Sequence, residues 1–386
     1  VAQDHPLRPW LEQQAERIER LCEARGLWVQ CQGGVVTPRL VRFHLLVHPS
    51  IPLKRLLSLE EEMALALEAP RVRFCREGGL LALELPRPQP AIVALLPLQA
   101  SLDPLPPFTA LLGRDSAGAP LLLRLSSPEV THVLIAGTTG SGKTALARTI
   151  LSSLALANDP DDLRFLLVDP KGQGFAPFQG LPHLAAPILR QGAEVQEHVG
   201  RLLQEMAWRE EAGIRRPRVL LVVDEVADLL ATEPTLAEPL TRLAARGRSA
   251  GLHLLLCTQK PTAEALGSLL RANIPCRLVG RVVSAQEAVV ASGIRGTRAE
   301  QLLGRGDFVL VTGGETIRFQ AAYIHGQEIL AMVEMLRDEH LKQGQATALR
   351  AARRVPLPAH WVTRLLGSLR AHPSETGQAA GARRSR

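Results

Sequence analysis

The run Gly137-Thr138-Thr139-Gly140-Ser141-Gly142-Lys143-Thr144 fits the phosphate-loop pattern G-x-x-x-x-G-K-[ST] at every position. Val133 to Ala136 reads as a short buried strand leading into it. Ala145 to Ala157 reads as a helix leading out, with Leu146, Ile150, Leu151 and Leu154 on one face. A loop in that position aims unpaired backbone N–H groups, and the positive end of the helix dipole, at an anion. The glycines let the backbone wrap phosphates without Cβ clashes. Lys143 would reach the β- and γ-phosphates, and Thr144 would ligate Mg²⁺. ATP and Mg²⁺ are therefore the expected ligands.

Hydrolysis also needs an acid to hold the metal and a group to place a water. The run Arg218-Val219-Leu220-Leu221-Val222-Val223-Asp224-Glu225 offers both, since it is an apolar strand ending in two acids. Asp224 is expected near Mg²⁺ and Glu225 as general base; both could also cap the next helix. Two further strand ends turn polar, at Val168-Asp169-Pro170-Lys171 and Cys257-Thr258-Gln259-Lys260-Pro261. Gln259 is expected to sense a γ-phosphate or orient water, and ordinary turn polarity is the alternative. The eleven histidines show no metal-ligand spacing, so His132, His183 and His253 read as structural. No Ser/His/Asp or Cys/His arrangement stands out.

The elements that must position these residues fall into two patterns. Residues 8–100 read as a small α+β domain, with helices at 11–25 and 59–68 and strands at 27–32, 35–47, 71–75 and 80–85. Gly33-Gly34 separates two of the strands, and Gly26 is a helix stop. Prolines from Pro86 to Pro107 then mark a linker. From about residue 108, apolar strands alternate with helices, which argues for a parallel sheet covered on both faces. Residues 101–335 form that second domain, ending in a helix at 327–341. Residues 336–386 read as a partly disordered tail.

With 386 residues the chain can bury a full core in two or three domains. No apolar run approaches the roughly 18 residues of a membrane helix. Residues 1–9 lack a signal-peptide core, so the expected location is cytoplasmic. The chain opens on Val1 rather than Met, which leaves a preceding segment open. Five cysteines without C-x-x-C spacing read as reduced thiols. The net charge of +7 belongs to the tail. Eight of the 45 basic residues and one of the 38 acidic ones lie between Arg350 and Arg386, leaving 37 of each elsewhere. Such a tail attracts phosphate backbones, and Arg350, Arg353, Arg354, Arg383 and Arg384 are the candidate DNA contacts. Aromatics at 3% argue against a base-stacking surface for single strands. Three of the five lysines, Lys143, Lys171 and Lys260, fall in the candidate nucleotide segments.

Taken together, these segments resemble the FtsK/SpoIIIE family of DNA translocases. The resemblance runs through Thr131–Thr144, Val168–Lys171, Leu221–Leu229, Ala244–His253, Cys257–Pro261, Ala272–Arg277 and Leu302–Asp307. It implies a RecA-like P-loop NTPase domain preceded by a small α+β domain. It also implies a ring, commonly a homo-hexamer, around double-stranded DNA, with ATP between subunits. Three departures accompany it. No membrane-spanning segment precedes the small domain, and no winged-helix match follows Gly326. Ser284–Val289 lacks the arginine usual there, so Arg246, Arg248, Arg271 and Arg281 become candidates to act across subunits. The competing classes are a protein-export motor like those of type VII secretion, a DNA-transfer pump of a mobile element, and an ATP-binding scaffold.

Overall fold

The structure is a computed structural model describing residues 7–354 except 78 and 103, with side chains to residue 343 apart from 77. The first layer runs α1 (Arg8–Ala24), β1 (Val29–Val36), β2 (Leu40–Val47), α2 (Leu53–Leu57), α3 (Glu60–Ala66), β3 (Arg73–Glu77) and β4 (Leu80–Pro86). Its antiparallel sheet has the order β1-β2-β4-β3. Leu11, Ile18 and Cys22 of α1 recur at helical spacing and pack on Phe43, Phe74, Leu83 and Leu85. Gly26 follows α1 at φ 67°, a left-handed stop. Gly33-Gly34 does not divide two strands. β1 runs through both as a bulge, and a Cβ on Gly34 would lie 1.9 Å from the Arg42 carbonyl oxygen. The helix expected at 59–68 is α3, at Glu60–Ala66, and the short α2 at Leu53–Leu57 precedes it unforeseen.

The proline-rich stretch is not a free linker. It carries α4 (Leu95–Ala100), and Leu95 N–H and Tyr323 N–H bond to Tyr323 O and Val93 O. Next come β5 (Thr109–Asp115) and β6 (Pro120–Arg124), which the sequence reading missed. Pro120 opens β6, an edge strand, where a missing N–H costs no ladder bond.

The second layer continues β7 (His132–Ala136), α5 (Lys143–Ala157), β8 (Leu163–Val168), α6 (Gly192–Ala212), β9 (Arg218–Val223), α7 (Val226–Thr232) and α8 (Ala237–Arg246). It ends with β10 (Leu252–Thr258), α9 (Ala263–Leu266), α10 (Ser268–Ala272), β11 (Cys276–Val279), α11 (Ala285–Ser292), β12 (Asp307–Thr312), β13 (Glu315–Ala321) and α12 (Gly326–Arg354). The nine strands order as β6-β5-β13-β12-β11-β7-β10-β9-β8. Strands β11, β7, β10, β9 and β8 are parallel. The expected all-parallel sheet is therefore corrected to a mixed one, because β12, β13, β5 and β6 join antiparallel. The physical reason is chain length: Gly313-Gly314 alone links β12 to β13, and two residues permit only a hairpin. β7 lies between β10 and β11: the chain leaves β7 toward β8 on one side, and later crosses from β10 to β11 on the other. The carboxyl end of β7 is where an open α/β sheet leaves a ligand crevice.

Strands β7 and β10 are buried along their whole length, which is why they read as unbroken apolar runs. His132, His183 and His253 serve the fold. His253 takes an Arg218 guanidinium hydrogen bond and reaches the Thr131 carbonyl, and burial lowers its pKa to about 4, so it stays neutral. His132 accepts the Leu254 N–H, and the His183 ring bonds to Asn158 O. None of the five cysteines is in a disulfide, and burial pushes Cys276 up to about 12. Residues to Val333 pack as one compact unit, and those from Glu334 form another. In the latter the helix expected to stop at 341 continues to Arg354.

Candidate nucleotide site

The Gly137–Thr144 loop joins buried β7 to α5. Gly142 stands at φ 103° as the residue before the helix, and Gly137 at φ 153°. At Gly137 a Cβ would sit 2.8 Å from Ser141 Oγ, so the turn closes only around glycine. No side chain caps α5, so its first amides point into the loop with the helix dipole behind them. Neighbouring backbone holds the loop. Thr138 donates its N–H and its hydroxyl to Arg281 O at 2.8 and 3.0 Å. Gly140 O and Ser141 O accept the Arg305 and Gly306 N–H groups at 3.0 and 2.8 Å.

Lys143 is buried, with Nζ 3.4 Å from Thr138 O and 3.8 Å from Glu225 Oε1. Burial lowers its pKa, against the pull of Glu225. Thr144 Oγ1 donates to Asp224 Oδ2 at 3.4 Å. Asp224 is raised above the ordinary carboxylate range, first by burial, then by the nearby charges of Glu225 and Asp169. Its other oxygen, Oδ1, is buried with no protein partner. An unsatisfied buried carboxylate oxygen beside a hydroxyl, facing a phosphate loop, fits Mg²⁺. This ion takes one or two protein oxygens and completes its shell with phosphate and water. Among the described residues no three His, Cys, Asp or Glu form a group that could hold a metal ion by themselves.

Glu225 directly follows β9 and Asp224, at φ 51°, a strained conformation for a side-chain-bearing residue. Gln259 holds its carboxylate: the backbone N–H reaches Oε2 at 3.2 Å and Nε2 reaches Oε1 at 2.7 Å. Gln259 Oε1 in turn accepts the Thr139 hydroxyl at 2.7 Å, with the amide orientation that satisfies both partners. A hydrogen-bonded chain thus runs from phosphate loop to Gln259 to Glu225. The structure gathers Lys143, Thr144, Asp224, Glu225 and Gln259 at one sheet edge. Asp169 lies beside them, its two oxygens engaged by the Gly172 and Phe175 amides. Lys171 points away to pair with Asp228.

The arginine candidates separate. Arg246 pairs with Glu210, and Arg271 caps the Val290 carbonyl. Arg281 lends its carbonyl to Thr138 of the same chain. Arg248 is exposed in the 247–250 turn before β10, at the sheet edge opposite the loop. The side chains of Arg350, Arg353 and Arg354, and all of Arg383 and Arg384, lie outside the described residues. Sequence reasoning missed Gly174, whose Cβ would lie 2.8 Å from Asp224 Oδ2, and Arg148, which holds Gly174 O and Gln173 O. It also missed Arg39, whose guanidinium donates to the Gly304 and Arg305 carbonyls. Gly304-Arg305-Gly306 was the legible signal there, since a G-x-G marks a tight turn.

A mixed RecA-like sheet with a glycine loop at the end of a central strand, and acids ending the next strand but one, defines a P-loop nucleotide-binding protein. The family model described as the FtsK/SpoIIIE family matches residues 102–215 and 209–263. The chain is 28% identical over 370 residues to "DNA translocase FtsK" of Sporosarcina ureae, a match covering 87% of this chain and 47% of that one. Among solved structures, the cytoplasmic domain of the type VII secretion ATPase EccC of Thermomonospora curvata is 30% identical. It aligns with a TM-score of 0.54 over 62% of this chain and 32% of that one. The conjugation coupling protein TcpA of pCW3, in a monomer form with ATPγS, shares the fold at 17% identity. Its TM-score is 0.55, over 83% of this chain and 99% of that one. The chain is therefore similar to members of the FtsK/SpoIIIE family, and spans about half the length, or less, of the curated relatives it matches. Among the described residues no helix is long and apolar enough to cross a membrane.

Proposed function

We propose that this chain is the motor of an ATP-dependent translocase of double-stranded DNA, working in the cytoplasm as a ring, a homo-hexamer. The observation that carries the reading is the convergence of Lys143, Thr144, Asp224, Glu225 and Gln259 on one glycine loop. Nucleotide binding alone needs only the loop; a carboxylate oriented by an amide that also touches the loop suits hydrolysis. The loop amides and Lys143 hold the phosphates. Thr144 and Asp224 would hold Mg²⁺, which supplies charge neutralisation at the phosphate oxygens. Lys143 turns from Glu225 to the phosphates as ATP binds, leaving Glu225 on Gln259 alone, free to take a proton from water. Gln259, touching Thr139, reports whether the γ-phosphate is present. A neighbour's arginine completes the site from among Arg246, Arg248, Arg271 and Arg281.

The printed description of the Sporosarcina relative supports duplex DNA as the track. The test is ATP turnover with and without linear duplex, which rises with duplex if the reading holds and is indifferent to it if not. A second reading, protein export, draws support from the EccC likeness, and indifference to DNA would favour it. The arginine-rich end is assigned to phosphate contact. Deleting residues 350–386 then makes log Kd for duplex less steep against log[salt]. An unchanged slope removes the tail from the interface.

A further inference from the structure

We propose that Arg39, at the tip of the β1–β2 hairpin, is a positioning residue for nucleotide binding, clamping the Gly304–Gly306 turn against the phosphate loop. This rests on the ATP-hydrolysis reading above. The turn is unusual in its backbone: Gly304, Arg305 and Gly306 stand in succession at φ 71°, 48° and 94°. Three left-handed residues in a row, one with a side chain, persist only where the surroundings hold them. What this geometry achieves is to aim two successive amides, from Arg305 and Gly306, at the carbonyls of Gly140 and Ser141. Those carbonyls turn outward, and the loop's own amides are left for phosphate. Close approach is essential, since a Cβ on Gly142 would meet the Gly306 nitrogen at 3.0 Å.

Arg39 supplies the restraint from the other side. Its guanidinium donates to the carbonyls of Gly304 and Arg305, the latter at 2.7 Å. These charge-assisted bonds bridge 265 and 266 residues of sequence. The donor is itself fixed. Thr37 N–H and hydroxyl bond Leu40 O at 2.8 and 2.9 Å, closing the hairpin tip. The Arg39 and Pro38 carbonyls accept the Arg87 and Ala91 amides. A second tie lies one residue beyond the turn. Arg318 grips Asp307 with two nitrogens at 3.0 and 2.8 Å, and also binds Glu84 of β4, which pairs with Arg42. The small sheet is thus anchored beside the turn, and Arg39 is its side chain that reaches the turn itself, where the Arg305 carbonyl also accepts Gln320 Nε2 at 3.3 Å. It also borders a cavity of about 380 Å³ shared with Gly142, Ala145, Arg305 and Tyr323, on the flank of the phosphate loop. The residues that shape the loop therefore come partly from the first 100 residues.

The test compares wild type, Arg39→Ala and Arg39→Lys by steady-state ATP hydrolysis and by ATPγS calorimetry, with melting of each protein without ligand. Arg39→Ala is expected to raise KM for ATP and Kd for ATPγS about tenfold, with kcat within about twofold. Arg39→Lys, which keeps the charge but not the planar fork, recovers part of the loss. A merely structural role lowers the ligand-free melting temperature and leaves KM and Kd as in wild type, and that result overturns the proposal. If Arg39→Ala does not fold, Arg39→Lys is read alone, and an unaltered Kd overturns it equally. A wild type that neither binds ATPγS nor hydrolyses ATP sinks the functional reading first, and is distinguishable from failure of the clamp.

Discussion

Replacing Glu225 by Gln lowers ATP turnover by about 10²- to 10⁴-fold, the contribution typical of a positioned general base, and leaves ATPγS affinity within about twofold. The substitution keeps size and hydrogen-bonding reach. Gln259 N–H still finds an oxygen, and an amide flip satisfies Gln259 Nε2, which now lies 2.7 Å from Glu225 Oε1. The strained backbone at φ 51° is unchanged. What disappears is the charge that accepts a proton from water. Lys143 also loses the carboxylate 3.8 Å away, which frees it for phosphate. Turnover near the wild-type rate in a variant that binds nucleotide normally would remove Glu225 from the role of base.

Lys143→Met gives the second large effect, and two readouts move apart. Affinity for ATP falls about 10- to 100-fold, because a hydrogen bond to a charged group contributes roughly 1.5–3 kcal/mol. Stability without ligand does not fall with it. Lys143 is almost wholly buried, and burial pulls its pKa down, so the ligand-free fold holds this ammonium at a cost. Methionine fills similar volume without that charge. The expected result is a ligand-free melting temperature at or above wild type, and a loss of the rise that ATP produces. The measurement is thermal unfolding with and without ATP. A variant that melts well below wild type without ligand, or keeps its full ATP shift, contradicts the assignment.

The site was legible in the sequence where its chemistry is local. The loop carries its glycines, lysine and threonine within eight consecutive positions, and Asp224 and Glu225 end an apolar strand. Gln259 was marked by the change from Leu254-Leu255-Leu256 to polar residues. Sequence spacing could not show that Gln259 bonds both Glu225 and Thr139, because these lie 34 and 120 residues away. Arg39, Arg42, Glu84 and Arg318 were illegible for the same reason: an isolated charged residue in a strand or hairpin looks solvated until the fold brings its partner. The antiparallel half of the large sheet was missed on different grounds. Prolines around residues 86–107 signal a break, yet the chain there packs through Leu95 and Leu98. β5 is buried on both faces and shows no alternation to read. The short Gly313-Gly314 link carried the hairpin signal and outweighs the parallel expectation drawn from the strands before it.

The central claim is that this site spends ATP on moving duplex DNA. The most direct measurement is steady-state ATP turnover with and without linear double-stranded DNA, at low and moderate salt, with the Glu225→Gln variant as the background. The account predicts strong stimulation by duplex, weakening as salt screens the phosphate contacts, and none in the variant. Turnover that is low and the same with and without duplex at both salt concentrations would contradict it.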